Sequence, residues 1–249
     1  MPFKRQVRRM ARRVGFSVGH YQSVPADFAA SDRELVEFVR PHTMSSPERI
    51  FGLANAIRWL ETSGIAGDVV ECGVWRGGSM MVVAKVLMDL NATSRGLHLF
   101  DTFTGMTEPT AEDRDFRGRS AIERYAQRSD GVQKSRWCRA GTATVRTNLA
   151  STGYPSEHIH LVAGLVEDTI PASAPETIAL LRLDTDWYVS TKHELVHLWP
   201  RLVSGGVCII DDYGHWQGSR KAVDEYLAES GIQVLMHRLD YSARLIVKP

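Results

Sequence analysis

Asp68-Val69-Val70-Glu71-Cys72-Gly73-Val74-Trp75-Arg76-Gly77-Gly78-Ser79 is the stretch on which the fold turns. Its first five residues are short, apolar and β-branched, and read as a buried strand. Gly73 lets the chain turn sharply, and Gly77 and Gly78 let a ligand approach the backbone. An apolar helix, Ser79 to Leu90, follows at once. Strand, glycine-bearing loop and helix in that order open a βαβ unit.

Downstream the alternation continues. Gly96–Phe100, Ile159–Ala163, Ile178–Leu183 and Gly206–Ile210 read as strands. Thr144–Ser151, Thr191–Leu202 and Ser219–Ser230 read as helices. Gln233–Arg238 and Ala243–Val247 read as a closing hairpin around Leu239–Ser242. Residues 102–140 are polar and rich in Arg, Asp and Glu, and are expected to form a mobile lid with helix near Ala121–Gln127. Upstream, Ser31 or Asp32 is expected to cap a helix that Pro41 ends, and Pro47 starts a second. The expected architecture is α/β and Rossmann-like. It has a mostly parallel sheet, a C-terminal antiparallel hairpin and an N-terminal helical extension. Residues 1–30 form a basic extension and 31–249 the main domain.

The bulk properties set limits. The chain has 249 residues, 43% hydrophobic and 24% charged, with formal net charge +1. That suits one globular domain and gives no global field for nucleic acid. Cys72, Cys138 and Cys208 form no CxxC, which fits a reducing, cytoplasmic setting. No apolar run reaches the ~18 residues needed to span a bilayer, and no secretory signal is evident. Arg5, Arg8, Arg9, Arg12 and Arg13 fall at helical spacing. As a helix, residues 1–14 would present a basic amphipathic face to an anionic membrane or partner. As a solvated tail they would do neither.

Ligands of doubly wound sheets bind at the carboxyl ends of strands, near the switch point. That rule selects the loop Glu71–Ser79, Trp75 included, with Asp101, Gly164, Asp184 and Asp211. The loop is not GxGxxG. On its own it admits S-adenosylmethionine (SAM), a dinucleotide, or a purely structural turn. Asp101 ends the second strand, where a carboxylate accepts bonds from ribose hydroxyls; the alternative is a turn former. Gly164 is placed to let an adenine edge meet the backbone.

Asp184 and Asp186 end one strand, and Asp211 and Asp212 end the next. In a parallel sheet three or four of these carboxylates converge on one rim. Their repulsion requires a cation or protons. Oxygen donors favour Mg²⁺ or a similar divalent ion, against the alternative of solvated acids at loop starts. Such an ion would assist an alcohol nucleophile, with Asp184, Asp186 or His215 as candidate base. Trp187, Tyr188, Tyr213 and Trp216 suit a sugar ring or, equally, ordinary packing. His215, Trp216, Gln217 and Arg220 are candidates for an acceptor wall.

Together, Arg40-Pro41-His42-Thr43-Met44-Ser45, VECGVWRGGS, LFDTFTGM, LRLDTDWYVST and IIDDYGHWQGSRKAVDEY resemble the macrocin O-methyltransferase family, from about Leu35 to the C-terminus. The resemblance implies SAM and Mg²⁺, methylation of a sugar hydroxyl, and a homo-oligomer. It implies Asp184, Asp211 and Asp212 as metal ligands, and Thr43, Met44, Glu71, Gly73, Ser79 and Asp101 around SAM. Catechol-type methyltransferases place a lysine shortly after the first metal aspartate; Trp187 and Tyr188 stand there instead. A nicotinamide oxidoreductase leaves the aspartates without purpose. An inactive SAM-binding protein would not need them. A nucleic-acid methyltransferase or RNA-binding module would rest on residues 1–14.

Overall fold

The computed structural model describes residues 24–131 and 134–249. The arginine-rich residues 1–14 lie outside them. Two helices, α1 (Ala30–Val39) and α2 (Pro47–Thr62), precede β1 (Asp68–Cys72), α3 (Gly78–Asp89) and β2 (Leu97–Asp101). The polar stretch then carries α4 (Ala121–Ala126) and a small hairpin, β3 (Ser129–Gly131) and β4 (Lys134–Ser135). After α5 (Thr142–Ala150) come β5 (Ile159–Ala163), α6 (Val166–Thr169), β6 (Ile178–Leu183) and α7 (Tyr188–Leu198). The chain closes with β7 (Leu202–Ile210), α8 (Gln217–Glu229), β8 (Met236–Arg238) and β9 (Arg244–Val247).

Seven strands form one sheet in the order β5-β2-β1-β6-β7-β9-β8. The first five in that order are parallel; β9 runs antiparallel to both β7 and β8. The chain builds outward from β1 to β5, then returns to lay β6 on the other side of β1. The switch point therefore falls between β1 and β6, and their carboxyl ends mark the ligand crevice.

Period-2 alternation divides the sheet between two cores. Val69, Leu97, Leu99, Val207 and Ile209 pack toward α2 and α3. Val70, Cys72, Leu181, Leu183, Cys208 and Ile210 pack toward α7 and α8. Cys72 and Cys208 are buried, and all three cysteines are unpaired. Among the described residues, no helix is long and apolar enough to cross a membrane.

The helix starts correct one expectation. Ala29, not Ser31 or Asp32, occupies the N-cap of α1, without a side-chain cap. Asp32 lies within the first turn and pairs with Arg58 of α2 at 2.6 Å. A partner from another element outcompeted the local cap. At α2 the expectation holds: Pro47 opens the helix, and Ser46 caps it by accepting the Arg49 N–H at 3.1 Å.

The described residues between 102 and 140 pack against the body. Tyr125, Trp137, Trp187 and Trp216 form a third apolar cluster. The Trp187 indole donates to Thr107 O at 3.1 Å. Asp113 is fully buried and accepts the Tyr188 N–H at 2.8 Å, at the start of α7. A carboxylate there is favoured by the helix dipole. The same carboxylate crowds the start of α8: a Cβ on Gly218 would come 2.1 Å from Asp113 Oδ1.

Candidate active site

Strand register builds the site. Cys72 pairs with Leu183, and Leu183 pairs with Ile210. Gly73, Asp184 and Asp211 are the next residues on three adjacent strands, so they leave the sheet side by side. Gly73 has φ +83°, and a Cβ there would sit 2.1 Å from Asp184 O. Only glycine lets the two strand ends approach this closely.

One row further in, Glu71 is in register with Arg182. Arg182 is only 4% exposed, and is a charge inside an otherwise apolar strand. Its Nη1 donates to Glu71 Oε1 and to Asp184 Oδ2, both at 2.7 Å, and its Nη2 to Asp211 Oδ1 at 2.5 Å. Arg49, from the first turn of α2, pairs with the other oxygen of Asp211 and lies 2.9 Å from Asp240. The planar guanidinium can serve several carboxylates at once, which an ammonium cannot do in the same way. Neither arginine was singled out from the sequence. Arg182 left a signal there, a lone cation in Ile-Ala-Leu-Leu-Arg-Leu; Arg49 left none.

Asp184, Asp186 and Asp212 form a second acidic group. Each offers an oxygen, and these oxygens lie within 4.8 Å of one another. Oδ2 of Asp212 is buried without a hydrogen-bond partner among the described residues. Asp186 holds φ +70°, a strained value for a non-glycine residue that persists only where the surroundings fix it. Burial, with mutual repulsion, raises Asp184 and Asp212 well above the usual carboxylate range. Burial also pushes Asp186 up to about 7. Asp211 behaves oppositely: burial works against its charge, but Arg182 and Arg49 hold its carboxyl below the ordinary value. The orphaned oxygen, the raised carboxyls and the all-oxygen donor set fit a hard divalent cation. Of the aspartates expected as ligands, the structure places Asp184 and Asp212 in this group. It engages Asp211 with guanidiniums and brings Asp186 in beside the other two.

Two cavities meet at this rim. The first, of about 110 Å³, is lined by Met44, Gly73, Trp75, Asp101 and Gly164, all expected around the cofactor, together with Phe100, Leu165, Glu167 and Ser190. Asp101 also shapes its wall: Oδ2 accepts the N–H groups of Val74 and Trp75 at 2.7 and 3.1 Å, and Oδ1 accepts that of Phe103 at 2.7 Å. The second cavity is lined by Thr43, Ser79, Arg49, Arg124, Trp137, Asp211, Asp212, His215, Trp216 and Tyr241. Thr43 and Ser79 thus border the neighbouring space. Glu71 borders neither and lies beneath, bonded to Arg182 and Ser79, with burial raising it to about 7. Met44, Trp75, Cys138, Asp184 and Asp186 line both cavities.

The aromatic residues separate. Trp216 lines the second cavity. Trp187 is 2% exposed and packs edge-on against Trp137 and Trp216. Tyr188 donates to Glu225 and Tyr213 to Asp224, each at 2.7 Å, and neither lines either cavity. His215 Nδ1 lies 3.3 Å from Tyr241 Oη. Burial, with Arg124, Arg49 and Arg119 nearby, lowers its pKa, so the ring is neutral at pH 7.

The macrocin O-methyltransferase (TylF) family model matches residues 20–247. A mycinamicin III 3''-O-methyltransferase of Micromonospora griseorubida is 32% identical over 191 residues, covering 77% of this chain and 72% of that protein. An 8-demethyl-8-(2,3-dimethoxy-alpha-L-rhamnosyl)-tetracenomycin-C 4'-O-methyltransferase of Streptomyces olivaceus is 33% identical over 201 residues, covering 80% and 72%. Among solved structures, the O-methyltransferase NovP superposes with TM-score 0.74 at 27% identity, over 83% of this chain and 82% of that one. With the fold, the crevice at the β1–β6 switch point and these relatives in agreement, the chain belongs to the macrocin O-methyltransferase family and is a SAM-dependent O-methyltransferase.

Proposed function

We propose that the protein methylates a hydroxyl of a sugar, free or within a glycoside, with a divalent cation such as Mg²⁺ held at the β6–β7 rim. The observation that carries this is the shared wall: Asp184 and Asp186 line both the cofactor cavity and the second one. One relative methylates mycinamicin III at its 3'' position and another a rhamnosyl-tetracenomycin at its 4' position. When bound, SAM supplies an electrophilic methyl group on a sulfonium, and a divalent cation would stabilise charge developing on the acceptor oxygen.

The chain supplies position and a proton acceptor. Asp184 and Asp212 would hold the ion. Asp186 is the third donor favoured by geometry, and Asp211 the one favoured by family resemblance; Asp211 would have to share its oxygens with Arg182 and Arg49. The acceptor hydroxyl sits in the second cavity between Trp216 and His215. Its oxygen would take the methyl group that SAM supplies, the sulfonium leaving as a neutral thioether, and the hydroxyl proton would pass to the protein. Neutral His215 is the candidate acceptor of that proton. In the tautomer that donates Nδ1–H to Tyr241 Oη, Nε2 is free. Asp186 is the second candidate. Trp187 closes the lysine route, because its indole is buried in the lid cluster.

The test is methyl transfer from labelled SAM to a panel of sugars and glycosides, with calorimetry of Mg²⁺ and SAM binding. Asp212→Asn should lose turnover and Mg²⁺ binding while keeping SAM binding. Transfer that persists after complete metal removal would overturn the ion's role.

A further inference from the structure

Residues 102–140 hold seven arginines, three of them paired with carboxylates. Arg119 pairs with Asp115, and Arg136 and Arg139 pair with Asp130. Of the other four, Arg114 reaches Gly118 O and Arg117 lies over Phe116, whereas Arg124 and Arg128 share one aromatic partner. Both stack on Trp137, with Cζ 4.5 and 5.7 Å from the ring centroid. Among the described residues, neither forms an ion pair with a carboxylate. They stand four apart, where like charges on a helical turn repel. Arg128 also reaches the Arg124 carbonyl at 3.1 Å, a contact that accounts for its place after α4 but neutralises neither charge.

Arg124 lines the second cavity with Trp137, His215 and Tyr241. Its charge is felt both by Asp186 on the floor and by His215 on the wall. Arg49 and Arg182 also line the cavity but are engaged by Asp211; Arg124 is the lining guanidinium without a carboxylate bond, and Arg128 lies beside it on the same indole. A guanidinium lying on an indole face keeps its N–H edge free for in-plane, bidentate contact with an oxyanion. A neutral sugar would leave those donors to water.

We propose that the mouth of the second cavity is an anion subsite, formed by Arg124 and Arg128 on Trp137, and that the acceptor sugar carries a phosphate or diphosphate ester there. This rests on the reading of that cavity as a sugar-hydroxyl site. The rival role for Arg124 is a counter-charge for Asp186.

The test offers a panel of hexoses and 6-deoxyhexoses to the full-length enzyme with SAM and Mg²⁺. Each sugar is supplied as its methyl glycoside, its 1-phosphate and its nucleoside diphosphate ester. The phosphate forms should show the lower KM. Arg124→Gln should raise KM for those forms on the order of tenfold, hold kcat, and narrow their advantage over the methyl glycosides. Arg128→Gln should act in the same direction, and added salt likewise. Inorganic pyrophosphate should compete with the phosphate forms on the unmodified enzyme, a readout independent of how the variants fold. Methyl glycosides used as well as the phosphates, equal loss on every arm in Arg124→Gln, or no competition by pyrophosphate would overturn the subsite and leave the sugar reading standing. Transfer to none of the three forms of any sugar would overturn both.

Discussion

Arg182 is the residue on which the acidic rim depends. It satisfies Glu71, Asp184 and Asp211 from inside the sheet. Removing one partner from a buried charge network leaves the others uncompensated, which costs about 3–5 kcal/mol. Arg182→Met should lose stability of that order in urea unfolding. Arg182→Lys should recover only part, because an ammonium lacks the flat fork. A variant as stable as the parent would show that Arg182 is not what holds the three carboxylates. The sequence made the aspartates conspicuous and hid their cations. Acids at strand ends announce themselves by position, whereas Arg182 between two leucines looks like an interruption of the strand. Asp186 was legible as an acid at the rim; its positive φ was not, because local composition does not encode strain fixed by a fold.

At the scale of elements, Asp113 joins the segment between β2 and α5 to two helices. It accepts from Tyr188 N and Thr110 N and abuts Gly218, so one carboxylate ties the segment to the starts of α7 and α8. Asp113→Ala leaves buried donors unmatched, a cost of roughly 1–3 kcal/mol. The variant should be cleaved faster within residues 102–140 under limited proteolysis and bind SAM more weakly. Asp113→Asn keeps an acceptor oxygen and should fall between. Unchanged cleavage would mean that the aromatic cluster alone holds the lid. The strands were readable because β1, β2, β6 and β7 carry compact apolar runs within the parallel part of the sheet, where both faces are covered; β5, at the edge, is less buried. Register then followed: with Leu183 opposite Ile210, Asp184 and Asp211 had to emerge together. Helix phase was less readable. Tyr188 and Tyr213 follow the acidic motifs directly, yet their hydroxyls end on Glu225 and Asp224 of α8, because each backbone turn carries its side chain away from the cavity.

For the whole molecule, acid should act through the β2–β5 edge. His98 Nε2 donates to the Asp68 carboxylate at 3.0 Å, and its ring stacks on His160 with centroids 4.6 Å apart. Burial lowers its pKa from 6.5, against the pull of Asp68 and with the push of His160. The unfolded chain then takes up the proton more readily than the folded one. Stability from this group is present above about pH 6.5 and is lost as the pH falls toward the lowered folded value. His98→Gln should flatten that slope in melting temperatures recorded from pH 7.5 to 5; an unaltered slope would assign the acid sensitivity elsewhere. The guanidiniums at the rim bear on the molecule in another way. Because Arg182 and Arg49 are covalent parts of the chain, they cannot be chelated, diluted or outcompeted. If the proposed divalent ion were stripped away, these fixed cations would keep the rim charged in balance, so the protein would fall idle but stay folded rather than denature.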